Sequence, residues 1–400
     1  MDEQLWILTD SLIVVFALSC FLFFWFLGRP LTWLPILQIL LVGVMLFDVR
    51  VRILASVKLL VILALLLAVV NRFLITGKLR WKTHSLDWWI GCILVVSFLQ
   101  AVRGAYLGYS VEKVATSIYV IAQPIVYYIV TRVTQLRDSD ILVASKTFAI
   151  ASIPLVVLGL TWGERFTVGP AVLGGYLSHV GLIFPLCVLA ERSQSRLMIM
   201  LTLFLLLDVI LGGARRYWLP AMFLLLVYLR SLKGRSYPVI MVLVLGIVVV
   251  LLVHEPTFNV VSDALTRGVG YRTAEYQVAY EYGIAEQPFL GLGFGAQTPV
   301  TQVGTKGIYR AGPVFHNYYL TILFNGGLVM LIPFIAFLCL SVLYAFRYAQ
   351  RGGFMPKAIL MLLVAWIVVA NFDAPRDGHW LLGLLPGVVA NTSKQRRRCD

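Results

Sequence analysis

Residues 317–345 read NYYLTILFNGGLVMLIPFIAFLCLSVLYA, without a single charged side chain. A helix rises about 1.5 Å per residue, so about 20 such residues cross the hydrocarbon core of a bilayer. The run is long enough to span, and it is one of many. Further apolar segments occupy 5–27, 31–47, 53–75, 88–102, 113–133, 139–162, 169–190, 197–212, 217–230, 237–253, 358–371 and 379–390. The 400-residue chain is 60% hydrophobic and only 13% charged, whereas a soluble domain carries about 25% charged residues. A soluble fold could not bury that much apolar surface. The strict apolar–polar alternation of a transmembrane barrel is absent. The sequence therefore predicts an all-α, polytopic transmembrane helical bundle of about 12 or 13 spans. Its organisation reads as N-terminal transmembrane helices over 1–253, one sizeable loop over 254–316, C-terminal transmembrane helices over 317–390 and a basic tail over 391–400. The first run begins at Leu5 with no basic leader, so it reads as a retained helix rather than a cleaved signal.

Lys and Arg in short loops set orientation. Five loops are basic: Lys78, Arg80 and Lys82; Arg132 and Arg137; Arg192 and Arg196; Arg230, Lys233 and Arg235; and Arg347, Arg351 and Lys357. The tail adds Lys394 and Arg396 to Arg398. Their alternation with the remaining loops makes them cytoplasmic together and puts loop 254–316 outside. One segment resists this pattern: Arg50 and Arg52 fall outside if every early run spans. The five cysteines lack metal or disulfide spacing, and four of them sit within apolar runs as small buried side chains.

The net charge of +14 suggests nucleic acid only when a soluble domain exists to bind it, and none does. Once the cytoplasmic loops are subtracted, Arg103, Arg165, Arg215, Arg216, Arg267, Arg272, Arg310 and Arg376 remain on the outer side, where basic residues are normally depleted. Single arginines at span ends can simply snorkel to lipid headgroups. A set of eight is better explained by an anion such as a pyrophosphate, whose oxygens match the planar guanidinium fork. Arg215 and Arg216 stand out, in Leu211-Gly-Gly-Ala-Arg-Arg-Tyr-Trp-Leu-Pro220, with almost no loop between two apolar runs.

Within the outer loop, residues 271–282 have helix character. Arg272, Glu275 and Tyr276 would share one face at i, i+3 and i+4. Next comes Gln287-Pro-Phe-Leu-Gly-Leu-Gly-Phe-Gly295. No βαβ unit surrounds these glycines, which excludes a dinucleotide site and leaves a tight glycine-dependent turn near the membrane. The loop ends at Phe315-His-Asn-Tyr-Tyr-Leu320 and runs straight into a span. His316 thus lies at a helix N-terminus facing outward, where imidazole stays neutral and suits a general base. The plainer role for His316 or Asn317 is to cap that helix. His179 lies within a span, as a structural histidine or part of a polar cavity lining, and His84 lies in a cytoplasmic loop. The outer carboxylates show no DxD-like pairing, and arginines alone can neutralise a diphosphate, so the site reads as metal-independent and cofactor-free.

Taken in order, these elements resemble the bacterial O-antigen ligase and O-antigen polymerase family of membrane glycosyltransferases. The family's small-residue–Arg element is matched by Gly213-Ala214-Arg215. Its Arg, aromatic and Pro-x-x-Gly-x-Gly run is matched by Arg272, Tyr276 and Pro288 to Gly293. Its His-Asn-x-Tyr-Leu is matched by His316 to Leu320. Ala214 departs from the serine common at that place, and Arg216 leaves two arginines as possible equivalents, of which Arg215 is preferred. The resemblance implies a GT-C-like fold in the inner membrane with a periplasmic active site. It implies a glycan donor on undecaprenyl diphosphate and an acceptor hydroxyl on lipid A–core, transferred by an inverting reaction. Arg215, Arg272 and Arg216 would hold the diphosphate and His316 would serve the acceptor, with Asn317, Tyr276, Tyr319, His179 and Arg267 in support. A polymerase or a protein O-glycosyltransferase of the same family is the alternative. One sizeable outer loop favours the ligase, since polymerases often carry two.

A transporter or flippase for an anionic lipid-linked glycan is the competing class. Alternating access would spread charge through both membrane halves and is often built on repeats. Here the arginines collect at outer ends of spans, and no internal repeat is visible.

Overall fold

The computed structural model describes residues 83–136, 275–297, 301–302, 308–309, 315, 317–352, 354–371 and 381–392. The chain divides into two compact units, Met1–Trp81 with Ile129–Ala214, and Lys82–Tyr128 with Arg215–Asp400. All packing described below lies within the second. Five long α-helices are present among the described residues: α1 (Ser85–Tyr106), α2 (Val111–Thr134), α3 (Tyr318–Gln350), α4 (Phe354–Val369) and α5 (Leu381–Thr392). Each coincides with an expected apolar run, with ends shifted by a few residues. The runs at 5–27, 31–47, 53–75, 139–162, 169–190, 197–212, 217–230 and 237–253 lie outside the described residues. Ser85–Tyr106, Val111–Val133 and Tyr318–Gln350 are each long and apolar enough to cross a membrane. Two two-residue antiparallel strands, β1 (Thr301–Gln302) and β2 (Ile308–Tyr309), are the strands among the described residues.

The ends of α1 show why it starts and how it lies. His84 caps it. Its Nδ1 accepts from the Leu86 amide at 3.3 Å, and the Asp87 carboxylate accepts from the His84 amide at 2.6 Å. His84 is therefore a structural residue. At the same end Tyr128 of α2 donates to Asp87 at 2.6 Å and packs edge-on against Phe337 of α3. Ser85 and Tyr344 share a hydrogen bond of 2.7 Å. The start of α1, the Tyr128 region of α2 and the Tyr344 region of α3 thus lie together. Close helix approach elsewhere uses small residues, as expected without water to drive association. A Cβ at Gly383 of α5 would fall onto the carbonyl of Pro124.

Helix α3 is not continuous. Gly327 adopts φ 64°, ψ −169°, far from helical values and open only to glycine. The break strips four backbone groups of their helical partners, and the glycine run supplies replacements. Leu292 and Gly293 donate to the carbonyls of Phe324 and Asn325 at 2.8 and 3.0 Å. Leu328 and Val329 donate to those of Pro288 and Phe289 at 2.9 and 3.1 Å. Residues 288–293 therefore form a plug seated in the break. A buried unpaired backbone group costs about 1–3 kcal/mol, so four would consume much of a stability of about 5–15 kcal/mol. The expected tight glycine turn is present, with Gly291 at φ 63°. It also repairs a span that the sequence suggests is unbroken.

The plug is gripped by α1 and α2. Phe294 donates its amide to the Gln100 carbonyl at 3.2 Å, and Gln100 Nε2 donates to the Leu290 carbonyl at 2.9 Å. The Gly295 amide donates to Ser117 Oγ of α2 at 3.0 Å. A Cβ at Gly104 would overlap the Phe294 carbonyl, whereas one at Gly91 on the same helix would meet nothing within 4 Å. Gly→Ala within a helix normally stabilises by about 0.5–1 kcal/mol, while forced overlap against backbone costs about 1–3 kcal/mol. Gly104→Ala should therefore lower the melting temperature of the detergent-purified protein by several degrees, and Gly91→Ala should leave it equal or higher. Equal behaviour of the two variants would show that the plug does not seat against α1.

Candidate functional site

Beside the plug lies the N-terminus of α3, and its residues are held individually. Asn317 is the N-cap. Its Oδ1 accepts from the Leu320 amide at 3.0 Å, and the residue is buried. The capping role that sequence left open between His316 and Asn317 thus falls to Asn317, whose side-chain oxygen satisfies one of the orphan donors of the first turn. On the other side of His316 in sequence, Phe315 is fully buried in a cluster with Ala279, Ala296, Leu320 and Phe324, its ring edge-on to Phe324 at 4.9 Å. Thr321 Oγ1 accepts from the Phe315 amide at 3.0 Å and donates to the Asn317 carbonyl at 3.0 Å. The chain on both sides of His316 is therefore pinned.

The remaining amide of Asn317 reaches the second motif. Its Nδ2 donates to the Tyr276 hydroxyl at 2.7 Å. Tyr276 belongs to a helical stretch over 275–279 that runs into a π-helical turn, Tyr280–Ile284. Within this turn Gly283 is buried against the Phe324 ring, leaving no room for a side chain. The π turn lets the segment leave its helix directly into the plug, and such turns are frequent near functional sites. Glu275 is buried at 2% exposure, a state that a carboxylate keeps only with compensating partners. Tyr276 remains nearly half exposed.

Of the residues singled out from sequence, Asn317 and Tyr276 are brought into contact. Tyr319 is not part of that contact. Its hydroxyl donates to the Ile367 carbonyl of α4 at 3.0 Å, which makes it a tie between helices. His316, Arg215, Arg216, Arg272, Arg267 and His179 lie outside the described residues. Arg103, grouped from sequence with the outer anion-binding arginines, has another role here. Its Nη1 donates to the carbonyls of Leu290 and Gly291 at 3.1 and 2.7 Å, and its Nη2 donates to Gln287 Oε1. A guanidinium satisfied by plug carbonyls is a scaffold contact. Sequence reading passed over Gln100, Ser117 and Asn325, which are buried polar residues at the plug. Ser117 Oγ lies 3.5 Å from Asn325 Oδ1. The available signal was a polar residue inside an apolar run.

Residues 180–335 match the family model for O-antigen ligase. No curated protein matches the chain. The match takes in the 275–284 helix, the plug, the Asn317 cap and the break in α3, and it leaves out α1 and α2.

Tyr276 and Asn317 should be energetically coupled. Asn317→Ser keeps a capping oxygen but cannot reach Tyr276, and Tyr276→Phe removes the other partner. In a double-mutant cycle on thermal unfolding, the pair should fall short of additivity by about 0.5–3 kcal/mol. Strict additivity would mean that the 2.7 Å contact carries no energy.

Proposed function

We propose that this chain, whose residues 180–335 match the family model for O-antigen ligase, is a membrane glycosyltransferase of that kind and moves a glycan from undecaprenyl diphosphate to a sugar hydroxyl of lipid A–core at the periplasmic face of the bacterial inner membrane. The observation that carries this reading furthest is the Asn317–Tyr276 hydrogen bond. It joins the residue after His316 to the helical stretch that begins at Glu275, which supports reading the two motifs as parts of one site.

Transfer requires a stabilised leaving group and an activated acceptor. In the proposed reaction the acceptor oxygen attacks the anomeric carbon from the side opposite the diphosphate. The carbon–oxygen bond to the diphosphate breaks, its electron pair leaves on phosphate, and the configuration inverts. Arg215 and Arg272, with Arg216 beside the first, would neutralise the departing diphosphate. Arginine stays protonated and cannot take the acceptor proton. His316 would take it, since histidine is the outer-side residue whose ordinary pKa lies near neutrality. With Asn317 serving as the cap, His316 is relieved of the structural duty that competed with this role. An arginine-based site needs no divalent ion, so we propose metal-independent transfer.

Turnover by the purified protein with undecaprenyl diphosphate–glycan and a panel of acceptors tests the reading. Transfer to lipid A–core supports a ligase, and extension of another lipid-linked repeat would instead make it a polymerase. Arg215→Ala or Arg272→Ala should each cost about tenfold to more than a hundredfold, because a hydrogen bond to a charged group is worth about 1.5–3 kcal/mol, and Arg→Lys should restore only part. His316→Ala should cost about 10²–10⁴-fold while donor binding persists. Wild-type rates in these variants would remove the corresponding residue from the mechanism. Separately, transfer should survive EDTA, and loss that magnesium or manganese reverses would refute the metal-free account.

A further inference from the structure

We propose that Arg103 is a positioning residue for the transfer reaction, clamping the glycine plug into the break of α3 and so setting the end of that helix which carries Asn317. This inference rests on the proposed function for its catalytic consequence and on geometry alone for the clamp.

The gap at Gly327 uncouples the first part of α3, Tyr318 to Gly326, from the long remainder. A continuous helix transmits its orientation through its own hydrogen bonds, and here that transmission is cut. What orients the short half-helix at its cut end is the plug, through the Leu292 and Gly293 amides on the Phe324 and Asn325 carbonyls. The plug is a glycine-rich turn with few side-chain contacts of its own, so it is stiff only as far as something outside it holds its carbonyls. Arg103 does so. Both Nη1 donors go to consecutive plug carbonyls, and Nη2 goes to Gln287 at the plug's entrance. Gln287 is also where the 275–284 helix ends, its amide donating to the Gly283 carbonyl at 3.0 Å. One guanidinium therefore touches the segment between the Tyr276 helix and the Asn317 half-helix. All three of its partners are neutral oxygens, and they take three of the five guanidinium donors, including both on Nη1. Reacting groups must be held within a fraction of an ångström, and a displacement of about 1 Å far from the chemistry can cost on the order of a hundredfold.

The test uses full-length protein in nanodiscs, with Arg103→Ala, Arg103→Lys and the milder Gln287→Ala, which removes one of the three contacts. Hydrogen–deuterium exchange is read first, without substrate, on peptides covering 287–297 and 324–330. Arg103→Ala should raise exchange there on the order of tenfold, and Gln287→Ala by a few-fold, with residues 85–95 of α1 unchanged. Turnover should then fall on the order of tenfold in kcat for Arg103→Ala, with KM for the lipid-linked donor within about twofold, and Arg103→Lys should recover part of it. Unchanged exchange would overturn the clamp. Raised exchange with normal kcat would overturn the positioning role, and a large rise in donor KM with unchanged exchange would make Arg103 a phosphate ligand instead. If the wild-type chain transferred no glycan, the proposed function would fall by itself, and an unchanged exchange pattern would still overturn the clamp.

Discussion

A polypeptide inside a bilayer has no water to accept its backbone hydrogen bonds, so any interruption of a spanning helix must be repaired by protein. The repair of α3 organises the described part of the molecule. Phe324, Asn325, Leu328 and Val329 each lose a helical partner at Gly327, and each finds one on the segment from Pro288 to Gly293. From this follow the close approach at Gly104, the burial of Gln100 and Ser117, and the engagement of Arg103 with carbonyls. Proline at 288 suits the scheme, because it needs no amide partner and still offers its carbonyl to Leu328.

The break also shapes the candidate site. Discontinuous membrane helices are found where a polar site must be built at membrane depth, since they bring helix ends and free backbone to places a straight span cannot. Here the half-helix presents a capped N-terminus whose Asn317 bridges to Tyr276, forty-one residues earlier. Two motifs separated by a glycine run in sequence are thus folded back on each other, and the run between them is what holds both. The buried cluster of Phe315, Phe324 and Ala279 fastens the same junction from the apolar side.

Much of this architecture was legible in advance, for a definite reason. Apolar runs of spanning length announce helices whatever their partners, and all five runs within the described residues became helices. The glycine run could be read as a turn because glycine spacing limits what a backbone can do. Its insertion into α3 could not, since Asn325-Gly-Gly327 looks tolerable within an apolar span and the pairing is long-range. The contacts of Arg103 were illegible for a related reason. From sequence, an arginine at the outer end of a span faces either an anion or lipid headgroups, and the third partner, a turn with outward carbonyls, emerges only in three dimensions. The tie made by Tyr319 is similar: the pattern joins it to His316 and Asn317, and helical periodicity turns its hydroxyl toward α4, which sequence alone does not announce. The role of the cap was one of two stated alternatives, and geometry chose Asn317.

The boundaries of the family match acquire a physical meaning in this light. Residues 180–335 contain the plug and the break it fills, yet the groups that grip the plug, Gln100, Arg103, Gly104 and Ser117, all precede that segment. The matched stretch is therefore not a self-sufficient folding unit. Its plug and the break in α3 close on each other, but its carbonyls at Leu290 and Gly291 and the amide of Gly295 close on α1 and α2. In lipid those groups have no substitute partner, so this part of the N-terminal half must accompany the matched segment in any fold that keeps the plug seated. The family match marks the shared segment, and hydrogen-bond closure marks how much chain is needed to hold its plug in place.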